Sequence, residues 1–377
     1  MTQINDYLEL MVKDQASDLY LITGAPPTLK IEGNHTPINN QMLTSDLLNE
    51  FVNGILSEQQ KSDFDKTHEM NFALSFRGVG RFRVNVFKQR GDAAIVIRNI
   101  KTTIPDFESI NLPAILTELV MKQRGLILFV GATGTGKSTS LASIINYRNQ
   151  NSPGHIITVE DPIEYVYRHH RSIVTQREIG MDTDSYTVAL KNTLRQAPDV
   201  ILIGEIRDHG TMKHAIAFSE TGHLCLATLH ANNSNQALER IMYFFPEDNR
   251  DQLLLELSLN VIAIISQRLV HGIDGRLVPA FEILLGTPLV KELIKRNDIS
   301  GLKEAMSKSE NLGMITFDRS LLKLYEQGKI TGDEALRHAD SHNDLRLAIN
   351  HRDRINQADG DDFSIVQPDK DDKQRYC

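Results

Sequence analysis

Residues 126–138 read Leu-Ile-Leu-Phe-Val-Gly-Ala-Thr-Gly-Thr-Gly-Lys-Ser, a short apolar run followed by the pattern G-x-x-x-x-G-K-[ST]. In such a stretch a buried strand leads into a glycine-rich loop, whose backbone N–H groups surround phosphate oxygens, and a helix follows. We therefore predict a phosphate-binding loop between a strand at Leu126 to Val130 and a helix that begins near Lys137. A chance glycine-rich turn is the alternative, and the flanking strand and helix patterns argue against it.

The loop and the first turn of the helix are the predicted ATP site. Lys137 is expected to be exposed and to reach the β and γ phosphates, and Ser138 is expected to hold Mg²⁺. The other predicted binding residues are Gly131, Ala132, Thr133, Gly134, Thr135, Gly136 and Thr139.

Two further apolar runs end in carboxylates. Asp199 to Glu205 resembles a buried strand, and Glu205 at its end is the candidate for positioning Mg²⁺ or its water, with a solvated loop glutamate as the alternative. Glu160-Asp-Pro-Ile-Glu164 follows a strand at His155 to Val159 and offers three carboxylates at the edge where open α/β sheets bind ligands. One of them is a candidate for orienting the attacking water, although such acidic loops are often only solvated.

Two histidines flank the apolar run Leu224 to Leu229. His223 precedes this predicted strand and His230 follows it, so the two lie at opposite ends of about seven residues and cannot both touch one phosphate. His230, at the carboxyl end, is the candidate for sensing the γ phosphate. A plain surface histidine is the alternative.

Composition limits the class of protein. The chain has 377 residues, which favours two domains, and its 41% hydrophobic and 24% charged content is typical of a soluble globular protein. A formal net charge of −8 argues against a general nucleic-acid binder, which needs a basic face. Neither a signal peptide nor a long apolar run is found, so a cytoplasmic location is expected. With only Cys225 and Cys377, a disulfide framework is not expected.

The first hundred residues alternate between strand and helix patterns. Strand patterns at Ser17 to Thr23 and Thr28 to Glu32 are followed by an amphipathic helix pattern from Leu43 to Phe64. Strand patterns return from Phe72 to Ile100, where a buried face alternates with a face that carries arginines. The arginines are Arg81 and Arg83, and the opposite face consists of Phe82, Val84 and Val86.

The remaining chain divides by its hydrophobic pattern. Prolines mark a linker, apolar runs separated by helices indicate a parallel α/β sheet, and only helical patterns follow from Pro288. A polar, charged stretch closes the chain and is predicted to be disordered. The predicted units are an α+β domain at 1–101, a linker at 102–113, an α/β core at 114–287, a helical region at 288–350 and a disordered tail at 351–377.

In chain order, the segments GATGTGKS, EDPIE, DVILIGEIRD and TGHLCLATLH resemble the Walker A, Asp, Walker B and His boxes of the secretion-superfamily motor ATPases. The resemblance extends from residue 1 to about 350 and includes Ala16-Ser-Asp-Leu and Gly80-Arg-Phe-Arg-Val-Asn85. It implies a RecA-like P-loop ATPase domain preceded by a PAS-like α+β domain and followed by C-terminal helices. It also implies a ring of six subunits, with nucleotide bound between domains and neighbours.

The same resemblance implies roles for individual residues. By this resemblance, Glu164 is expected to be the general base, and Glu205 is expected to be the Walker B acid beside Mg²⁺. Arg81 and Arg83 are expected to be the arginines that reach phosphate across a subunit interface, with Arg98 as a weaker candidate. Solvated strand faces remain the alternative for these arginines.

Within that superfamily, the chain resembles the PilT/PilU family of type IV pilus retraction ATPases. It lacks the additional N-terminal domain and the tetra-cysteine element of assembly ATPases, and its C-terminal motifs resemble those of the PilU group. These motifs are Gly313 to Asp318, Asp333 to Asp340 and Asn343 to Arg346. Where PilT-type motors carry Ala-Ile-Arg-Asn-Leu-Ile-Arg-Glu, this chain has Leu-Val-Lys-Glu-Leu-Ile-Lys-Arg at 289–296.

This resemblance implies a cytoplasmic homo-hexamer, peripheral at the inner membrane, that hydrolyses ATP with Mg²⁺. It would assist a PilT-like retraction ATPase on the inner-membrane pilus platform protein. One alternative is a ring component that binds nucleotide without independent motor activity. A RecA-like motor on DNA is the other, and the acidic balance disfavours it.

Overall fold

A computed structural model describes residues 4–31, 33–76, 78–100 and 103–360. The predicted boundary between the first domain and the linker, at residues 101 and 102, lies outside the described residues. Before this boundary the described chain forms one sheet with its own core, and after it a second sheet with helices on both faces.

The first sheet is antiparallel throughout, in the order β3-β2-β1-β6-β5-β4. The predicted alternation holds, because Phe82, Val84 and Val86 are fully buried. The elements of this domain are α1 (Ile4–Lys13), β1 (Asp18–Ile22), β2 (Thr28–Ile31), β3 (Asn34–Pro37), α2 (Ser45–Ile55), α3 (Glu58–Thr67), β4 (Glu69–Phe76), β5 (Gly80–Gln89) and β6 (Asp92–Ile100).

The single helix predicted from Leu43 to Phe64 is wrong. The chain forms two helices there, α2 and α3, separated at Leu56 and Ser57. The Ser57 hydroxyl accepts from the backbone N–H of Gln60, and the Gln60 side chain accepts from the N–H of Ser57. This capping box starts a new helix inside the apolar pattern that suggested a continuous one.

The second sheet has the order β13-β12-β7-β11-β10-β8-β9. Strands β7, β10 and β11 are buried along their whole length, as expected for central strands covered by helices on both faces. Its elements are α4 (Ile115–Val120), β7 (Gly125–Val130), α5 (Lys137–Asn151), β8 (Gly154–Glu160), β9 (Ser172–Glu178), α6 (Tyr186–Thr193), β10 (Val200–Ile203), α7 (His209–Glu220), β11 (Leu224–Leu229), α8 (Ser234–Tyr243), α9 (Arg250–Asn260), β12 (Val261–His271) and β13 (Leu277–Leu285).

The four predicted strands, β7, β8, β10 and β11, are parallel as expected. Strands β9, β12 and β13 were not predicted; β9 and β12 are also parallel to their neighbours in this sheet, and β13 is not. Strand β13 pairs antiparallel with β12, whereas β12 pairs parallel with β7. A short connection, Gly272 to Arg276, joins β12 to β13, and a link this short permits only an antiparallel hairpin.

Helices α10 (Pro288–Lys295), α11 (Ser300–Lys308), α12 (Phe317–Glu326), α13 (Gly332–Arg337) and α14 (His342–Gly360) follow the second sheet. The prediction that the tail is disordered from residue 351 is wrong for residues 351–360, because α14 continues to Gly360. The rest of that tail, residues 361–377, lies outside the described residues. Within the described part of the chain, no helix is long and apolar enough to cross a membrane.

Candidate functional site

The loop between β7 and α5 is packed too tightly to accept side chains at two of its glycines. A Cβ atom placed on Gly131 would lie 2.7 Å from the carbonyl oxygen of Gln267, and one on Gly136 would lie 2.9 Å from the Gln267 Nε2 atom. Gly136 also has a φ of 84°, which disfavours other residues. The Thr135 hydroxyl closes the turn by donating to the Ala132 carbonyl at 2.9 Å. This bare backbone, ahead of a fifteen-residue helix, fits a phosphate group.

Lys137 is buried, so the expectation of an exposed lysine is wrong. Its Nζ donates to the carbonyl oxygens of Gly131 and Ala132 at 2.7 and 2.8 Å. Burial lowers the pKa of Lys137, and the nearby charge of Glu205 opposes that shift. The amine therefore lies inside the loop, where phosphate oxygens can replace the two carbonyl acceptors.

Two acidic strand ends are joined by an arginine. Arg207 donates from Nε to Glu205 Oε2 at 2.7 Å and from a terminal nitrogen to Asp161 Oδ2 at 3.1 Å. The second carboxylate oxygen of Glu205, Oε1, lies 3.2 Å from His230 Nε2. Burial lowers the pKa of His230 and the charge of Lys137 lowers it further, which favours a neutral imidazole beside the Glu205 carboxylate.

A cavity of about 1380 Å³ lies between the first domain and the phosphate-binding loop. Its lining brings together Ser138, Glu164, Glu205 and His230, which the sequence placed on four separate segments. Ser138 and Glu164 are exposed to the cavity. Serine and carboxylate oxygens suit Mg²⁺, so Ser138 and Glu205 are the residues that fit this ion.

Arg98 enters the same cavity from the first domain. Its Nε donates to Asp18 Oδ1 at 2.8 Å, and this hydrogen bond raises the pKa of Arg98, with the charge of Glu164 adding to the effect. Arg98 was the weaker candidate among the three arginines. It is nevertheless the one of the three that lines the cavity.

Arg83 is bound within its own chain. Its guanidinium contacts Glu178 Oε1 at 2.6 Å, and Glu178 Oε2 accepts from the N–H of Ile163 at 3.1 Å. Because Glu178 is buried, it needs a partner for its charge, and Arg83 supplies one. Arg81 has a buried Nε with no hydrogen-bond partner in the described chain, and both arginines lie outside the cavity lining. A phosphate contact from Arg83 therefore requires this ion pair to open.

Three residues near the loop were not singled out from the sequence. Tyr165 lies 3.0 Å, oxygen to oxygen, from the Thr139 hydroxyl, and it directly follows the EDPIE segment. Arg207 belongs to the quoted DVILIGEIRD segment, where its spacing from Glu205 was the available signal. Gln267 lies on β12, and its contact with the loop depends on the neighbouring strands rather than on any local pattern.

Glu160 has a strongly shifted titration. Burial raises the pKa of Glu160 from 4.5 to about 7, although Thr158 and Gln176 donate hydrogen bonds to Oε1 at 2.6 and 3.4 Å. Between pH 4.5 and 7, Glu160 is thus protonated more often in the folded chain than in the unfolded chain, so this group makes stability fall as pH rises.

Glu160→Gln is expected to remove that loss. The free energy of unfolding of the variant minus that of the parent chain should increase from pH 5 to pH 8, by on the order of 1 to 3 kcal/mol. Urea unfolding at the two pH values measures the difference, and Glu239→Gln, at an exposed glutamate, is the control. An equal change in both variants would contradict the effect of burial.

Comparison with known proteins identifies the family. The family described as type II/IV secretion system protein matches residues 39–281. This chain belongs to that family. The type IV pilus ATPase PilU of Pseudomonas aeruginosa is 56% identical to it over 343 residues, which cover 91% of this chain and 90% of PilU.

PilT is a second type of relative. The type IV pilus ATPase PilT of Pseudomonas aeruginosa is 36% identical over 332 residues, which cover 88% of this chain and 96% of PilT. A crystal structure of the pilus retraction motor PilT with bound ADP superposes with a TM-score of 0.85 at 38% identity, covering 92% of this chain and 100% of that one. The predicted fold class and the resemblance to the PilT/PilU family are confirmed.

Proposed function

We propose that this chain is a P-loop ATPase that hydrolyses ATP with Mg²⁺ and assists retraction of a type IV pilus. The observation that carries the proposal is the meeting of the phosphate-binding loop with Glu164, Glu205 and His230 around one cavity. Phosphoryl transfer depends mainly on positioning and on neutralising charge, and this cavity supplies both cationic and acidic groups.

Each residue has a defined part in the proposed reaction. Lys137 exchanges the loop carbonyls for the β and γ phosphates, and His230 contacts the γ phosphate. Ser138 and Glu205 would hold Mg²⁺, which neutralises phosphate charge when bound. Glu164 accepts a proton from the attacking water.

The arginines complete the charge balance in this proposal. Arg98 faces the cavity of its own chain, whereas Arg81 and Arg83 would act on the phosphate of a neighbouring subunit. For Arg83 this step exchanges the buried carboxylate of Glu178 for phosphate. An arginine delivered from a neighbour contributes about 10³- to 10⁵-fold to the rate of related phosphoryl transfers.

The assembly belongs to the same proposal. The chain would form a homo-hexamer in the cytoplasm, held at the inner membrane through the pilus platform protein, with a PilT-like retraction ATPase as its partner. Identity of 56% to PilU supports this role, and the departure from the PilT motif at 289–296 supports dependence on the partner. Nucleic acid is not among the proposed partners, given the net charge of −8.

Two measurements test the proposal. The purified chain is expected to release phosphate from ATP steadily. In a strain that lacks the PilT-like ATPase, this chain should fail to restore pilus retraction. It should restore full retraction only together with that ATPase. Microscopy of labelled pili measures retraction directly.

The control for the strain experiment is the Lys137→Ala variant, expressed at the same level together with the PilT-like ATPase. Retraction at the normal frequency without the PilT-like ATPase would overturn the assisting role. Binding of ATP without any hydrolysis would instead favour a regulatory ring component.

A further inference from the structure

Strand β12 passes directly beneath the phosphate-binding loop. Gln267 and Leu269 approach Gly136 from below, since a Cβ atom there would lie 2.9 Å from Gln267 Nε2 and 3.6 Å from Leu269 Cδ1. Side chains alternate along a strand, so the residue between these two points to the opposite face. That residue is Arg268.

On that face, Arg268 binds the C-terminal helical region. A terminal nitrogen donates to the carbonyl oxygen of His338 at 2.8 Å, and another lies 2.8 Å from Asp340 Oδ1. The guanidinium also stacks on Phe317, with its carbon 3.8 Å from the ring centroid. These contacts use the planar shape of arginine, which a lysine cannot reproduce.

The same guanidinium reaches the loop that carries His230. It donates to the carbonyl oxygen of Asn232 at 3.4 Å, two residues beyond His230. The far end of this loop is fixed separately, because buried Glu282 accepts from the N–H and the hydroxyl of Ser234 at 2.7 Å. Between the fixed end and His230, the N–H of Asn232 donates to Gln236 Oε1 at 3.2 Å, and Arg268 holds the carbonyl side of the same residue.

That part of the loop borders the ATP site. His230, Ala231 and Asn232 line a cavity of about 570 Å³, together with Ala132 and Thr133 of the phosphate-binding loop. A shift of Asn232 would move His230 relative to Glu205 and to the phosphate-binding loop. Asp340, His338 and Phe317 surround the guanidinium of Arg268 and fix its position beside this part of the loop.

We propose that Arg268 is a positioning residue for His230, and that docking of the C-terminal helices supports ATP turnover through it. The inference rests on the proposed function, since it assumes that His230 acts in hydrolysis. It adds a route by which any partner that displaces the segment 338–340 slows hydrolysis without touching the nucleotide.

Asp340→Asn tests this route from the C-terminal side and leaves Arg268 in place. The variant is expected to lower kcat for ATP about 3- to 10-fold, the size of effect that mutations on a coupling route have. KM should change little, because Asp340 does not line the ATP cavity. Arg268→Lys should act in the same direction. Arg319→Gln is the matched control, because Arg319 pairs with Glu310 in the same helical region without contacting the loop.

A double-mutant cycle separates positioning from a general loss of structure. In a His230→Gln background, Asp340→Asn should change phosphate release less than about 2-fold, because the residue that it positions is already absent. Amide hydrogen exchange of the segment 231–233 should become faster in Asp340→Asn and stay unchanged in Arg319→Gln. Melting temperatures identify any variant that fails to fold.

Additive effects of the two substitutions, or unchanged exchange at 231–233, would overturn the inference while leaving the proposed function intact. A parent chain that binds no ATP, measured by calorimetry, or releases no phosphate would overturn the proposed function and this inference with it.

Discussion

Lys137→Ala is expected to lower ATP turnover by about 10²- to 10³-fold, the effect of removing one donor aimed at developing negative charge. The amine already lies inside the phosphate-binding loop, where burial strengthens its interaction with a phosphate oxygen. ATP affinity should fall as well, because in the proposed mechanism Lys137 contacts the phosphates both before and during the reaction. Steady-state phosphate release and calorimetric titration measure the two effects.

The fold should survive this substitution, since alanine removes a desolvated amine along with its two hydrogen bonds to loop carbonyls. The pKa of His230 should rise, because the charge of Lys137 helps to lower it. Nuclear magnetic resonance titration of the imidazole follows that change. Lys122→Ala, at an exposed lysine, is the control, and unchanged turnover in Lys137→Ala would refute the ATP site.

Glu164→Gln is expected to retain ATP binding and to lower turnover by about 10²- to 10⁴-fold. The amide keeps the size and the hydrogen-bonding capacity of the side chain but cannot accept a proton from water. Because Glu164 is exposed to the cavity, the substitution should leave the melting temperature nearly unchanged. Single-turnover phosphate release after ATP binding isolates the affected step.

Glu118→Gln, at an exposed glutamate on α4 outside both cavities, serves as the control for that measurement. Loss of ATP binding in Glu164→Gln would point to a structural carboxylate instead of a general base.

The sequence predicts the phosphate-binding loop well because its determinants are local. The glycines, the preceding apolar strand and the following helix all lie within residues 126–151, and the structure has each of them in that order. The predicted alternation of buried and polar residues on β5 is confirmed for the same reason.

Other features depend on contacts between distant segments. Arg83 and Glu178 are separated by 95 positions, and nothing near Arg83 in the sequence indicates that a buried carboxylate lies opposite it. The burial of Lys137 arises from the way the loop folds over its own amine. The division of the predicted helix at Ser57 has a local cause, because Ser57 and Gln60 have the spacing of a capping box. The apolar periodicity continues across this box and therefore suggested one helix.

The edges of the first sheet bear on how copies of this chain can meet. Strand β3 forms one edge, has four exposed residues and ends at Pro37, which has no N–H to offer. Strand β4 forms the other edge, where Glu69 and Asn71 are exposed. Short, polar or proline-containing edges resist backbone pairing with another sheet. In the proposed ring, identical chains lying close together would thereby be protected from pairing their sheets into aggregates, and side chains would make the contacts between copies.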